Sequence, residues 1–276
     1  MKMFNKVVII GTGLIGGSLG LALRKQRLAG WVIGLSRHQK NARFAKKIGA
    51  IDSIGASLEV VADADLVILA TPINTIIDLA SRIAKKLKKD CIVIDVGSTK
   101  ERIVSKLSAL IPNFLGCHPL AGSEKKGIAN LDGSIFKGSL CIITPTVKTN
   151  HHALNKVKLL WKKLGAGVVI LSAKKHDFVL ALTSHLPHAV AFSLISSIPD
   201  QCLGLSSSGL RDTTRISSSD AHLWSEIFLS NRSNLLTALA IFQTKLTILK
   251  LALESKNKRQ LTKILLLANK KREKLG

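Results

Sequence analysis

Val7-Val8-Ile9-Ile10-Gly11-Thr12-Gly13-Leu14-Ile15-Gly16 reads as a β-branched strand that breaks into a glycine turn and opens a helix, on which Leu19, Ala22 and Leu23 share one face. Glycine patterns of this kind are common by chance, and taken alone this one could be a helix-packing turn. Strand, spacing and helix coincide here, however. The glycines permit the tight turn and a close backbone approach, and free N–H groups at the helix start attract a pyrophosphate. Gly11, Gly13, Leu14, Ile15 and Gly16 are therefore the first cofactor-binding candidates.

Outward from that turn, short apolar runs at 7–10, 31–35, 66–69, 91–94, 140–143 and 168–171 alternate with helical stretches. Runs of this kind are strands buried on both faces of a mostly parallel sheet. The expected fold is α/β, a Rossmann-type doubly wound sheet over residues 1–172. After about residue 173 the strand signal stops, and residues 173–276 read as a helical domain with a Ser/Gly-rich loop near 203–209. Residues 178–198 lack Asp, Glu, Lys and Arg over a length that could span a bilayer, but hold His185, Pro187, His188 and serines. They are read as a buried central helix. Residues 7–23 resemble the apolar core of an export signal only superficially, because six of the seventeen are glycine or threonine.

An NAD-binding turn usually carries an acid at the tip of the second strand, where it accepts hydrogen bonds from the adenine ribose. That tip reads Gly34-Leu35-Ser36-Arg37-His38 and has no acid. Ser36 can donate to a phosphate oxygen and Arg37 can pair with it, which favours the 2′-phosphate of NADP over NAD. Thr71-Pro72 follows another strand and is placed in the same cleft.

Three further segments carry chemistry. In Asp95-Val96-Gly97-Ser98-Thr99-Lys100-Glu101, Ser98 and Glu101 have the spacing of a capping box, and a serine at such a helix start can also orient an imidazole or touch a nicotinamide. His118 stands at a strand end before a turn-rich loop. A lone histidine there is more often structural, yet an alcohol dehydrogenation needs a base, and imidazole has a suitable unperturbed pKa. In Ser184-His185-Leu186-Pro187-His188, two imidazoles share one helix face; no third and fourth ligand accompanies them, so no metal is expected. Arg211 and Arg215 follow in Gly209-Leu210-Arg211-Asp212-Thr213-Thr214-Arg215-Ile216, with Trp224 beyond, and suit the anchoring of a carboxylate.

Composition narrows the class. The 276 residues are 46% apolar, long enough for a sizeable core, and 41 Lys and Arg against 17 acids give a net charge of +24. That balance admits nucleic acid, anionic membranes or acidic small molecules as partners. Few aromatics and scattered lysines argue against a nucleic-acid surface. Neither nucleic acid nor membrane is expected as a partner. Cys91, Cys117, Cys141 and Cys202 lack paired spacing and are read as small buried hydrophobes in a reducing cytoplasm. Leu235, Leu239, Phe242, Leu246, Leu249 and Leu253 form a narrow apolar seam, continued by Leu261, Ile264, Leu265 and Ala268. Such a seam needs a partner helix, from the same chain or a second copy, while lysines from 256 to 274 face water.

In their order along the chain, GTGLIGGSLG, DVGSTK, HPLAGSEKKG, SHLPH, GLRDTTRI and the following tryptophan resemble the prephenate and arogenate dehydrogenase family of tyrosine biosynthesis over essentially the whole length. Leu120, Lys126 and Leu210 depart from the usual motif residues without removing a proposed catalytic group. The resemblance implies a cytoplasmic homodimer that carries out NAD(P)-dependent oxidative decarboxylation of prephenate or arogenate. It implies that His118 takes the proton of the ring hydroxyl as hydride leaves the same carbon. It further implies that Ser98 orients that histidine near the nicotinamide, that Arg215 binds a substrate carboxylate, and that His185, His188, Glu124 and Trp224 line the site. The rivals are another dehydrogenase of the same architecture, such as a β-hydroxyacid dehydrogenase or pyrroline carboxylate reductase, and a non-catalytic dinucleotide- or nucleic-acid-binding protein.

Overall fold

The computed structural model describes residues 2–121 and 130–275. Among these, the strands β1 Phe4–Ile10, β2 Ala29–Leu35, β3 Ser53–Ile54, β4 Leu66–Leu69, β5 Ile92–Asp95, β6 Phe114–Pro119, β7 Leu140–Thr144 and β8 Gly167–Ile170 make one sheet. Their order is β3-β2-β1-β4-β5-β6-β7-β8. Neighbours are parallel except β6 and β7. The helices are α1 Leu14–Lys25, α2 Gln39–Lys47, α3 Ile73–Ala84, α4 Glu101–Leu110, α5 His151–Lys163, α6 Ala173–Leu180, α7 Leu186–Ser196, α8 Ser208–Thr214, α9 Ala221–Ser230, α10 Arg232–Glu254 and α11 Lys258–Arg272. A π-helical turn, Ala181–His185, joins α6 to α7.

Side chains that alternate along each strand feed two apolar layers, one on each face of the sheet. Val7 and Ile9 of β1 belong to one layer, with Leu19, Leu23 and Trp161. Val8 and Ile10 belong to the other, with Ile76, Ile83 and Leu107. Each fully buried aliphatic side chain contributes roughly 1.5–3 kcal/mol relative to exposure, so the continuous apolar runs secure both layers at once. The chain reverses direction across the sheet between β1 and β4, which opens a crevice at their carboxyl ends.

By compactness the chain divides into residues Met1–Asn231 and Arg232–Gly276. Within the first unit, α6 packs on α4, and α9 packs on α3. In the second, α10 and α11 form a hairpin that turns at Lys256, a non-glycine residue with φ of 49°. Along the seam Leu235 is buried and Leu239, Phe242 and Leu249 are half-buried, whereas Leu246 and Leu253 are exposed, as are Leu265 and Leu266 of α11.

Several expectations are corrected. β8 lies at the sheet edge and is largely exposed, so it is not buried on both faces. Cys202 is exposed, while the other three cysteines are buried. The 203–209 stretch is not a plain loop: a 3-10 turn covers Asp200–Leu205 and α8 begins at Ser208. Residues 178–198 are not a buried central helix either. Helical structure runs across Ala173–Ser196 with mostly half-buried or exposed side chains, and its buried stripe mixes His176, Asp177 and His185 with Leu180, Ala181 and Ala191. That span and Arg232–Glu254 are long and apolar enough to cross a membrane by length and composition.

Candidate active site

The glycine turn sits where β1 ends and α1 begins. Gly11 has φ of +104°, and a Cβ there would lie 2.3 Å from the Ala70 carbonyl oxygen. A Cβ on Gly16 would lie 1.9 Å from the Gly11 oxygen, so this glycine lets helix and turn close on each other. Gly13 is different: nothing lies within 4 Å of its Cβ position, and it caps α1 with no side chain over the helix N-terminus. The first-turn amides of Leu14, Ile15 and Gly16 thus remain available at the positive end of the helix dipole.

A cleft of about 800 Å³ opens from this turn, lined by Gly11, Thr12, Gly13, Ser36, Arg37, Thr71 and Pro72 among others. Leu14, Ile15 and Gly16 do not line it; they form the first turn of α1, and Ile15 packs on the core. The hydroxyls of Thr12 and Thr71 are buried without hydrogen-bond partners among the described residues. An orphaned buried hydroxyl is costly unless a ligand satisfies it, so the cleft fits a polar, phosphate-bearing ligand. Arg37, His38, Arg82 and Lys86 also line it, with Glu59 paired to Lys86. Ser36 Oγ accepts from the His38 N–H at 3.2 Å.

His118 stands on β6 at the same sheet edge, two strands from β4, a lateral separation of about 10 Å. Its Nδ1 lies 2.8 Å from His176 Nε2 on α6. His176 Nδ1 is in turn 2.7 Å from Asp177 Oδ1. Asn231 donates from Nδ2 to the Asp177 carbonyl oxygen at 2.7 Å and to His185 Nδ1 at 3.1 Å. The His185 ring meets Trp224 edge-on, and His188 stacks on the same indole with ring centroids 3.4 Å apart. Arg215 is close enough for its charge to act on His188. The strand β6, the helices α6, α7 and α9, the π-helical turn and a 3-10 turn at Arg215–Ser218 thereby bring His118, His176, His185, His188, Trp224 and Arg215 together.

Burial sets the protonation of this cluster. Burial first, then the nearby His176, Lys100 and His185, holds His118 well below the usual histidine value. Burial likewise lowers His176, and it pushes His185 down to about 4. For His188 burial is again the leading cause, with Arg215 adding to it. At neutral pH all four are uncharged, so the rings act as donors and acceptors of single protons. Beneath them Lys100 and Asp95 form an ion pair in which both side chains are fully buried.

Ser98 does not head a capping box. α4 starts at Glu101, and its first amides are capped from another helix: Asp177 accepts from Lys100 N at 2.7 Å and Glu101 N at 2.9 Å. Ser98 is half-buried, makes no hydrogen bond among the described residues, and leaves His118 Nδ1 to His176. Glu124 lies outside the described residues. His176, Asp177, Asn231 and the Lys100–Asp95 pair were missed from the sequence. The only local signal was an adjacent His-Asp pair in a helix otherwise rich in apolar residues. Among the described residues no group of three His, Cys, Asp or Glu could hold a metal.

A doubly wound sheet with a glycine turn at its crevice defines a Rossmann-type nucleotide-binding protein, here followed by a helical segment. Two family models cover most of the chain: "Prephenate dehydrogenase, nucleotide-binding domain" matches residues 19–170, and "Prephenate dehydrogenase, dimerization domain" matches residues 172–267. The chain belongs to the prephenate dehydrogenase family. Prephenate dehydrogenase of Bacillus subtilis is 34% identical over 85% of this chain, and the match spans about two thirds (66%) of that relative's length. Cyclohexadienyl dehydrogenase of Zymomonas mobilis is 33% identical over 93% of this chain and 91% of its own. The crystal structure of prephenate dehydrogenase from A. aeolicus in complex with hydroxyphenyl propionate and NAD+ superposes with a TM-score of 0.92, at 33% identity, over 99% of this chain and 98% of that one.

Proposed function

We propose that this protein is a cytoplasmic, NADP-preferring dehydrogenase that oxidatively decarboxylates prephenate or arogenate. The observation that carries the reading is His118, a half-buried neutral imidazole with one nitrogen tied to His176 and Nε2 without a partner among the described residues, at the same sheet edge as the cofactor cleft. Residues 1–172 would form the dinucleotide-binding part and residues 173–276 the substrate and dimerisation part. The exposed leucines of α10 and α11 suit a second copy of the chain, as does the name of the family model over this region.

Gly11, Gly13 and the amides of Leu14, Ile15 and Gly16 would hold the pyrophosphate, with the Thr12 and Thr71 hydroxyls satisfied by the bound dinucleotide and Pro72 shaping the wall. A nicotinamide held there would supply the acceptor for the hydride of the hydroxyl-bearing ring carbon. His118 Nε2 takes the hydroxyl proton as that C–H bond breaks. The ring carboxylate departs as carbon dioxide, its bonding electrons enter the ring, which becomes aromatic, and the ring oxygen takes back the proton held by His118. Aromatisation supplies the driving force, so the protein chiefly aligns the reactants and handles one proton. Ser98 is assigned to the nicotinamide end of the site, and Arg215 to a substrate carboxylate. His185, His188, Trp224 and Glu124 are assigned to the walls.

Steady-state assays with both substrates and both dinucleotides test the activity directly: turnover is expected only when prephenate or arogenate is added. Arg215→Ala should raise KM by about 10- to 100-fold, the worth of a charge-assisted contact of roughly 1.5–3 kcal/mol; an unchanged KM removes Arg215 as the anchor. The NADP preference rests on Ser36 and Arg37 at a strand tip without an acid, beside Arg82 and Lys86. Arg37→Asp should lower the NADP/NAD ratio of affinities, measured by calorimetric titration, by about 10-fold or more. A ratio that stays the same overturns the assignment.

A further inference from the structure

We propose that His176 and Asp177 are positioning residues that fix the tautomer of His118, presenting its Nε2 lone pair to the substrate hydroxyl. The proposal rests on the reading of His118 as the base. It follows from counting protons along one line of contacts.

The Asp177 carboxylate is surrounded by N–H donors: the amides of Lys100 and Glu101 at 2.7 and 2.9 Å, and the His176 ring at 2.7 Å. Burial alone would raise its pKa, but these bonds outweigh burial and hold it below the usual carboxylate value. An ionised carboxylate only accepts, so His176 carries its proton on Nδ1. Burial, with Lys100, outweighs the Asp177 bond that favours the imidazolium and holds His176 below the usual histidine value, so it is neutral and its Nε2 is an acceptor. The contact at 2.8 Å is then a bond donated by His118 Nδ1–H, and Nε2 of a neutral His118 carries the lone pair.

The same carboxylate caps α4, so tautomer and backbone are locked by one group. Asp177 sits on α6, the amides it binds belong to the segment after β5, and His118 ends β6. The other charged or titratable groups whose fields reach His118 are Lys100 and His185. Lys100 is paired with Asp95 and still disfavours an imidazolium at His118, and His185 is neutral, so neither favours a second proton on His118. A purely structural pair of histidines would satisfy each other in either direction. Anchoring by an ionised carboxylate allows only one.

The test uses the full chain labelled with 15N-histidine. In the wild type, His118 should report a protonated Nδ1 and an unprotonated Nε2. His176→Leu removes the acceptor; it should lower kcat by about 10²-fold with KM within about threefold, and move proton population onto His118 Nε2. In His176→Gln the amide oxygen can accept from His118 Nδ1, and kcat should return to within about tenfold of wild type. A wild-type His118 protonated on Nε2 overturns the proposal whatever the variants do, including a His176→Leu protein that fails to fold. Wild-type kcat in His176→Leu overturns it as well. Wild-type turnover in His118→Asn would instead reject the base itself, and the tautomer measurement separates the two failures.

Discussion

Replacement of His118 by Asn is expected to lower turnover by about 10²- to 10⁴-fold, the range typical of a positioned general base, with dinucleotide affinity and substrate KM nearly unchanged. Asparagine keeps a polar side chain on β6 and can still donate toward His176, so the fold and the Asp177 cap of α4 should survive. What is lost is the proposed acceptor of the hydroxyl proton. The pH profile gives a second readout. Burial and the neighbouring His176, Lys100 and His185 hold His118 well below the ordinary value of 6.5. The base form is the neutral one, so kcat/KM should stay level as pH falls through 6.5 and drop only at the lower pH where His118 gains a proton. That acid limb should be absent in His118→Asn. Turnover comparable to wild type, or an acid limb that persists in the variant, would remove His118 from the chemistry.

The largest effect on stability is expected at Lys100→Met. Lys100 Nζ donates to Asp95 Oδ2, which also accepts from Gly97 N at 2.8 Å, and both side chains are inaccessible to water. Removing one partner of such a pair leaves a buried charge uncompensated, at a cost of about 3–5 kcal/mol. Part of this is recovered if Asp95 takes up a proton, since burial already pushes its carboxyl up. In a chain of this size a change of that order corresponds to a fall in Tm of roughly 10 °C. Lys100→Met/Asp95→Asn should recover most of it, because the neutral amide oxygen still accepts from the main chain. A single variant melting within about 2 °C of wild type would show that the pair contributes little. The Lys100 cation also helps depress His118, so its loss should move the acid limb toward higher pH.

The pair illustrates why some of the site was readable in advance and some was not. Lys100 and Asp95 lie in a motif whose capping spacing pointed to Ser98, since local spacing registers which residues can cap a helix within one turn. The actual cap, Asp177, is 77 residues from Lys100 in sequence, and only the packing of α6 against α4 brings it there. His118 was singled out because a dinucleotide-binding fold that dehydrogenates an alcohol needs a base at the strand edge, even though a lone histidine there is more often structural. Its partner was not, because His176 is 58 residues away on another element of the chain, and no local spacing connects the two. His185 and His188 were read as neighbours on one face. Both rings do meet Trp224, but His185 is also buried against Asn231 whereas His188 stacks on the indole.

The sheet and its glycine turn were determined by sequence alone. Continuous β-branched runs are driven into a sheet, most of them covered on both faces, with the exposed edge strand β8 as the exception, and glycines placed directly after such a run serve a backbone conformation that other residues resist. These are constraints within a few residues of chain. The tertiary structure alone decided which polar groups meet in the dry interior: Asp177 with His176, His176 with His118, and Lys100 with Asp95. Desolvation and hydrogen bonding depend on which atoms lie within about 3 Å, and that proximity is a property of the folded chain rather than of any segment in it.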